Sequence, residues 1–117
     1  MKTYYEPIYK LYVTVFVEED QEKARKRAER IAKDTLDLNW DSQAKTIEYT
    51  NEQGAQRIIV WLKRPQASLL AHELIHVIEY CFGVRRMPFN LDNTEFIAYY
   101  MEHLFKVFEP VLAQSKD

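Results

Sequence analysis

Alternation dominates the stretch after Pro7. Tyr9, Leu11, Val13, Val15 and Val17 fall on one side of an extended chain, with Lys10, Tyr12 and Thr14 on the other. A period of two predicts a long first strand from Ile8 to Val17. The acidic run Glu18-Glu19-Asp20 sits where a helix N-terminus favours carboxylates, and a helix is predicted from about Gln21 to Leu36. Its inward stripe is Ala24, Ala28, Ile31 and Thr35. Lys23, Lys26, Arg27, Arg30 and Lys33 form the opposite ridge, which reads as a solvated face or, alternatively, a surface for an acidic partner.

Two short strands follow, Lys45 to Thr50 and Arg57 to Lys63, joined by the hairpin signal Asn51-Glu52-Gln53-Gly54. The second is apolar on both faces through Ile58-Ile59-Val60-Trp61-Leu62 and belongs in the middle of a sheet. The first is polar enough to lie nearer an edge. Pro65 suits the first turn of a helix running to about Phe82, with Gly83 as its stop. After a loop from Val84 to Leu91 that carries Pro88, a last helix spans roughly Asn93 to Leu112, bent at Pro110, and leaves a loose tail over 114–117. The predicted architecture is one α+β domain over residues 1–117, in the order β-α-β-β-α-α, with a three-stranded sheet packed on the last two helices.

Composition agrees with a packed domain. The hydrophobic fraction is 47% with 14% aromatics, enough for a core that removes roughly two-thirds of the unfolded surface from water. A net charge of −2 gives no electrostatic footprint for nucleic acid or an anionic membrane. No stretch approaches the ~18 apolar residues of a membrane span, and the N-terminal residues show neither an apolar signal core nor a cleavage site. Cys81, the single cysteine, excludes an internal disulfide and reads as a small buried hydrophobe. These features together describe a protein of the reducing cytoplasm.

Against this background the chemistry concentrates in one place. His72-Glu73-Leu74-Ile75-His76 lies inside the predicted helix Pro65 to Phe82. Histidines four residues apart share a helix face one turn apart and can hold one metal ion, and a glutamate beside the first is where zinc hydrolases place a general base. A catalytic zinc needs a third protein ligand. Glu95, at the start of the last helix, is the candidate; with Asp92 it also satisfies a capping-box spacing, which is the purely structural alternative for both residues. Should Glu95 cap, Asp92 is the substitute ligand. Glu79, one turn beyond His76, reads as a ligand or as a buttress for an imidazole N–H. Tyr99 can donate a phenolic hydrogen bond to an oxyanion or simply pack. His103 reads as a surface or packed histidine.

With His72-Glu73-Leu74-Ile75-His76 followed by Glu95-Phe96-Ile97-Ala98, the chain resembles the gluzincins, zinc metallopeptidases marked by His-Glu-x-x-His and a downstream Glu-x-x-Ala. In size and element order it is most similar to the minigluzincins. It also resembles small phage-encoded proteins of unassigned function that carry an Ala-His-Glu helix (here Ala71-His72-Glu73) and a Glu-x-x-Ala-Tyr helix (Glu95 to Tyr99). The resemblance covers roughly Trp61 to Phe108. Metzincins are similar only through the first motif, since Glu79 and Phe82 stand where they need Gly and a third ligand. A di-iron bundle lacks its second Glu-x-x-His. The resemblance implies a zincin-like fold, Zn²⁺ on His72, His76 and Glu95, Glu73 as general base, and a peptide or protein substrate lying along an edge strand. The alternative is an inactive relative in which zinc is structural and the domain binds a host protein.

Overall fold

In a computed structural model of the chain, residues 1–51, 54, 56–84, 87 and 89–114 are described. Four strands form one mixed sheet in the order β1-β2-β4-β3, with β1 Lys2–Glu6, β2 Leu11–Val17, β3 Ala44–Thr50 and β4 Gln56–Leu62. The sheet has four strands, not the three expected. The predicted strand from Ile8 splits at its start: residues 7–10 form a turn, Lys10 takes a left-handed φ of 55°, and the preceding residues return as β1, antiparallel to β2. The alternation in β1 is masked by Glu6, a carboxylate at an inward position. Only 1% of Glu6 is exposed, and its two oxygens accept the Ile8 N–H at 2.7 Å and the Tyr100 hydroxyl at 2.6 Å.

The expectation for β4 holds. It lies between β2, to which it is parallel, and β3, to which it is antiparallel. Ile58, Val60 and Leu62 enter one core and Ile59 and Trp61 the other, all of them buried. Edge strand β3 leaves one row of backbone groups without a sheet partner among the described residues. In the β3–β4 hairpin, Gly54 donates to the Asn51 carbonyl at 2.9 Å with φ +85°, a conformation that favours glycine; the loop residues 52, 53 and 55 lie outside the described residues.

Helix α1, Gln21–Ala32, covers one face through Ala24, Ala28 and Ala32 against Phe16, Ile59 and Trp61. Asp20 caps it by accepting the Lys23 N–H at 2.9 Å. The helix stops four residues short of Leu36 because Lys33 turns left-handed (φ 58°) and donates its N–H to the Glu29 carbonyl; Thr35 is therefore exposed.

The other face carries α2 (Ala67–Val84), α3 (Thr94–Phe108) and α4 (Pro110–Gln114). Pro65 precedes α2 instead of opening it, and Gly83 lies within the helix without a left-handed φ. Of the following loop, Pro88 lies outside the described residues, as does the tail 115–117. By length and composition alone α2 is long and apolar enough to cross a bilayer, contrary to the expectation that no stretch is. Here it is a core helix: Leu70, Leu74, Val77, Ile78, Cys81 and Phe82 are buried against the sheet and α3. At the predicted bend before Pro110 the helix is interrupted for one residue: Glu109 keeps right-handed helical dihedrals (φ −50°, ψ −39°) and donates its N–H to the Phe105 carbonyl, and α4 follows from Pro110. The radius of gyration, 13.9 Å, is that of a compact chain of this length, about 13 Å.

Candidate metal centre

Burial of the apolar stripe of α2 decides where its histidines go. With Leu70, Leu74, Val77 and Ile78 facing the sheet and α3, His72 and His76 are forced to the open side, with side chains 70% and 50% exposed. Their rings lie 5.2 Å apart, centroid to centroid. Glu73 turns the other way, toward edge strand β3, and is only 6% exposed. One ligand atom from each of His72, Glu73 and His76 lies within 4.8 Å of the others. Tetrahedral zinc ligands stand about 3.4 Å apart. Two exposed imidazoles one helical turn apart are donors of the type a divalent transition metal takes, with the Glu73 carboxylate beside them.

The wall opposite these groups comes from β3. In the register with β4, Ile47 and Tyr49 point to the α1 side, so Ala44, Thr46, Glu48 and Thr50 face α2. Thr46 Oγ1 donates to Glu73 Oε1 at 2.7 Å and lies 3.4 Å from the Glu73 carbonyl oxygen. Glu73 Oε2 remains 3.8 Å from His72 Nε2. Glu48, with His72, Glu73 and His76, lines an open pocket of about 320 Å³. A second hollow, lined by Gln43, Ala44, Ser68, Leu69, His72 and Glu73, continues toward the start of α2 and is more apolar. A groove thus runs along the edge of β3 on both sides of Glu73.

On the far flank, Glu79 Oε1 lies 3.2 Å from His76 Nδ1. A proton on Nδ1 shared with this carboxylate leaves the Nε2 lone pair for a metal, so Glu79 fits the buttressing role.

The remaining sequence candidates do not join the donor group. Glu95 is exposed on the first turn of α3, whose Phe96 packs on Phe82 with ring centroids 5.7 Å apart. The capping box is not formed as expected: the N-cap of α3 is Asn93, and Asp92 sits one residue earlier in a 3-10 turn, with its N–H bonded to Asn90 Oδ1 at 3.0 Å. Among the described residues the Glu95 carboxylate engages no hydrogen bond or ion pair, which leaves it available to a ligand. Tyr99 is 68% exposed and does not line the pocket. His103 lies elsewhere, stacked on Tyr100 and within 2.9 Å of the Tyr4 hydroxyl. Cys81 is buried under α3 and lies outside the donor group, and burial pushes its thiol up to about 12 in spite of a hydrogen bond with Tyr100, so it is not poised as a thiolate.

Thr46 and Glu48 were missed in the sequence, although the phase of β3 carried the signal: once Ile47 and Tyr49 are given to one core, their neighbours must face the other side. Comparison with protein families, with curated proteins and with solved structures finds no match to this chain.

Proposed function

We propose that this chain is a zinc-dependent metallopeptidase of gluzincin type. The observation that carries the reading is the convergence of His72, Glu73 and His76 within 4.8 Å at the wall of a groove beside an edge strand. His72 and His76 are the proposed imidazole ligands. Glu95, which lies outside the group of His72, Glu73 and His76 and has no hydrogen bond or ion pair among the described residues, is the proposed third ligand, to be brought in by a movement of the first turn of α3. Zinc supplies Lewis acidity toward water and toward a carbonyl.

The chain's own residues do the rest. Glu73, held against β3, takes the proton of the attacking water at Oε2 and returns it to the leaving amine. Glu79 holds His76 in one tautomer. Tyr99, which does not line the pocket, would act as the proposed donor to a developing oxyanion only where a bound substrate extends to α3. The outer edge of β3 offers backbone partners to an extended peptide, which favours main-chain recognition over side-chain selectivity. In the groove, Glu48 puts a carboxylate on one side of Glu73, and Ala44 with Leu69 puts apolar surface on the other. The reading includes a cytoplasmic location, where a lone buried thiol stays reduced.

Metal analysis of protein purified without added zinc, coupled to hydrolysis of a mixed peptide library, tests the proposal. One zinc per chain, turnover that disappears in Glu73→Gln with zinc retained, and zinc lost in His72→Ala are the expected results. Zinc without turnover would instead assign the domain to binding, with a structural metal. Absence of zinc from the unaltered protein, even after titration, refutes the reading.

A further inference from the structure

We propose that Thr46 is a positioning residue for Glu73, holding that carboxylate as a base and preventing it from becoming a metal ligand; the inference rests on the metal-site reading above. A carboxylate as buried as Glu73 requires hydrogen-bond donors. Among the described residues the Thr46 hydroxyl is its one hydrogen-bond donor, at 2.7 Å, since His72 Nε2 at 3.8 Å is too far. Thr46 is itself well fixed. Its backbone sits opposite Val60 in the β3–β4 register, and its β-branched side chain has few rotamers. The hydroxyl is therefore a rigid point contributed by the sheet to an otherwise helical site.

That point chooses between the two carboxylate oxygens. Oε1 is taken by Thr46, so Oε2 is the atom presented toward the imidazoles. The choice matters because Oε2 already stands near the spacing that zinc ligands adopt, about 3.4 Å. A slight swing of an untethered Glu73 would bring it onto the metal. It would then fill the position that hydrolysis needs open for water, and the base would be lost as well. The tether from β3 keeps one short side chain in the proton-transfer role while its sequence neighbour His72 binds the ion.

The test uses Co²⁺ as a spectroscopic stand-in for zinc, titrated into the full chain. Thr46→Val removes the hydroxyl and keeps the shape. The lost charged hydrogen bond no longer opposes coordination by Glu73, so Co²⁺ affinity should rise about tenfold with a changed visible spectrum. Glu73→Gln introduced into Thr46→Val should cancel the gain, and Thr46→Ser should behave as the parent. Should Thr46→Val fail to fold, Thr46→Ala carries the same expectation. Co²⁺ affinity within twofold of the parent and an unchanged spectrum overturn the positioning role, even if the variant melts earlier. A parent that binds no Co²⁺ refutes the metal site itself.

Discussion

Zinc should separate two kinds of stability in this protein. His72 and His76 contribute little to the metal-free fold: their side chains are 70% and 50% exposed, and their polar neighbours are Glu73 and Glu79. Replacing either by Ala should cost at most about 0.5 kcal/mol without metal, as for surface substitutions generally. For 117 residues the unfolding entropy near the midpoint is about 0.25 kcal/mol per kelvin, so such a change moves Tm by ~2 °C. Zinc acts on a larger scale. At free zinc one hundred to one thousand times Kd, binding adds about 2.7–4.1 kcal/mol, which corresponds to a rise of roughly 11–17 °C. Thermal melts followed by far-UV circular dichroism, with zinc and with chelator, should show this increment in the parent and none in His72→Ala or His76→Ala. The three chelated proteins should melt almost together. A parent Tm insensitive to zinc, or an increment that survives His72→Ala, would refute the assignment of the two imidazoles.

Zinc competition measurements on Glu95→Gln should show at least about a tenfold loss of affinity, the scale of losing one ligand or its support, while Glu48→Gln stays within about twofold; the reverse order would move the third ligand from α3 to β3. Tyr100→Phe leaves Oε2 of the buried Glu6 carboxylate without its 2.6 Å hydrogen bond, while Oε1 keeps the Ile8 N–H, and should cost about 1.5–3 kcal/mol, or roughly 6–12 °C by calorimetry. An unchanged Tm there would mean that Glu6 is satisfied in another way. Burial, followed by the bond to Glu6, holds the Tyr100 phenol above its ordinary value of 10.0, and burial raises Cys81 from 9.0 to about 12. Both groups stay protonated in the folded chain after the unfolded chain has ionised. Their contribution is complete below about pH 9 and is lost as pH climbs toward 12, so urea midpoints should fall across that window, less steeply in Tyr100→Phe. For the same reason Cys81 should resist iodoacetamide at pH 8 in the native state and react on unfolding, as mass spectrometry would show; rapid native labelling would contradict its burial.

The parts of this fold that were legible in the sequence are those whose signal is local. The two-faced apolar run of β4 marks a central strand because nothing else tolerates Ile59 and Trp61 on one side with Ile58 and Val60 on the other. The i, i+4 histidines need only a helix to share a face. Strand β1 was hidden because its inward Glu6 contradicts the hydrophobic pattern, and the residue that resolves the contradiction, Tyr100, lies 94 positions away. The early end of α1 was hidden too, since Lys33 has no side-chain signature of a left-handed cap. The same division runs through the metal centre. Its donors come from one helical turn, but the orientation of Glu73 depends on Thr46, which is 27 positions upstream and reaches it only through the pairing of β3 with β4. On the proposed reading, the His-Glu-x-x-His motif specifies which atoms meet, and the strand beside it determines which carboxylate oxygen of Glu73 is left to carry a proton. On the proposed function, metal affinity would follow from α2 and its third ligand, and hydrolysis would depend equally on the hydroxyl that β3 presents.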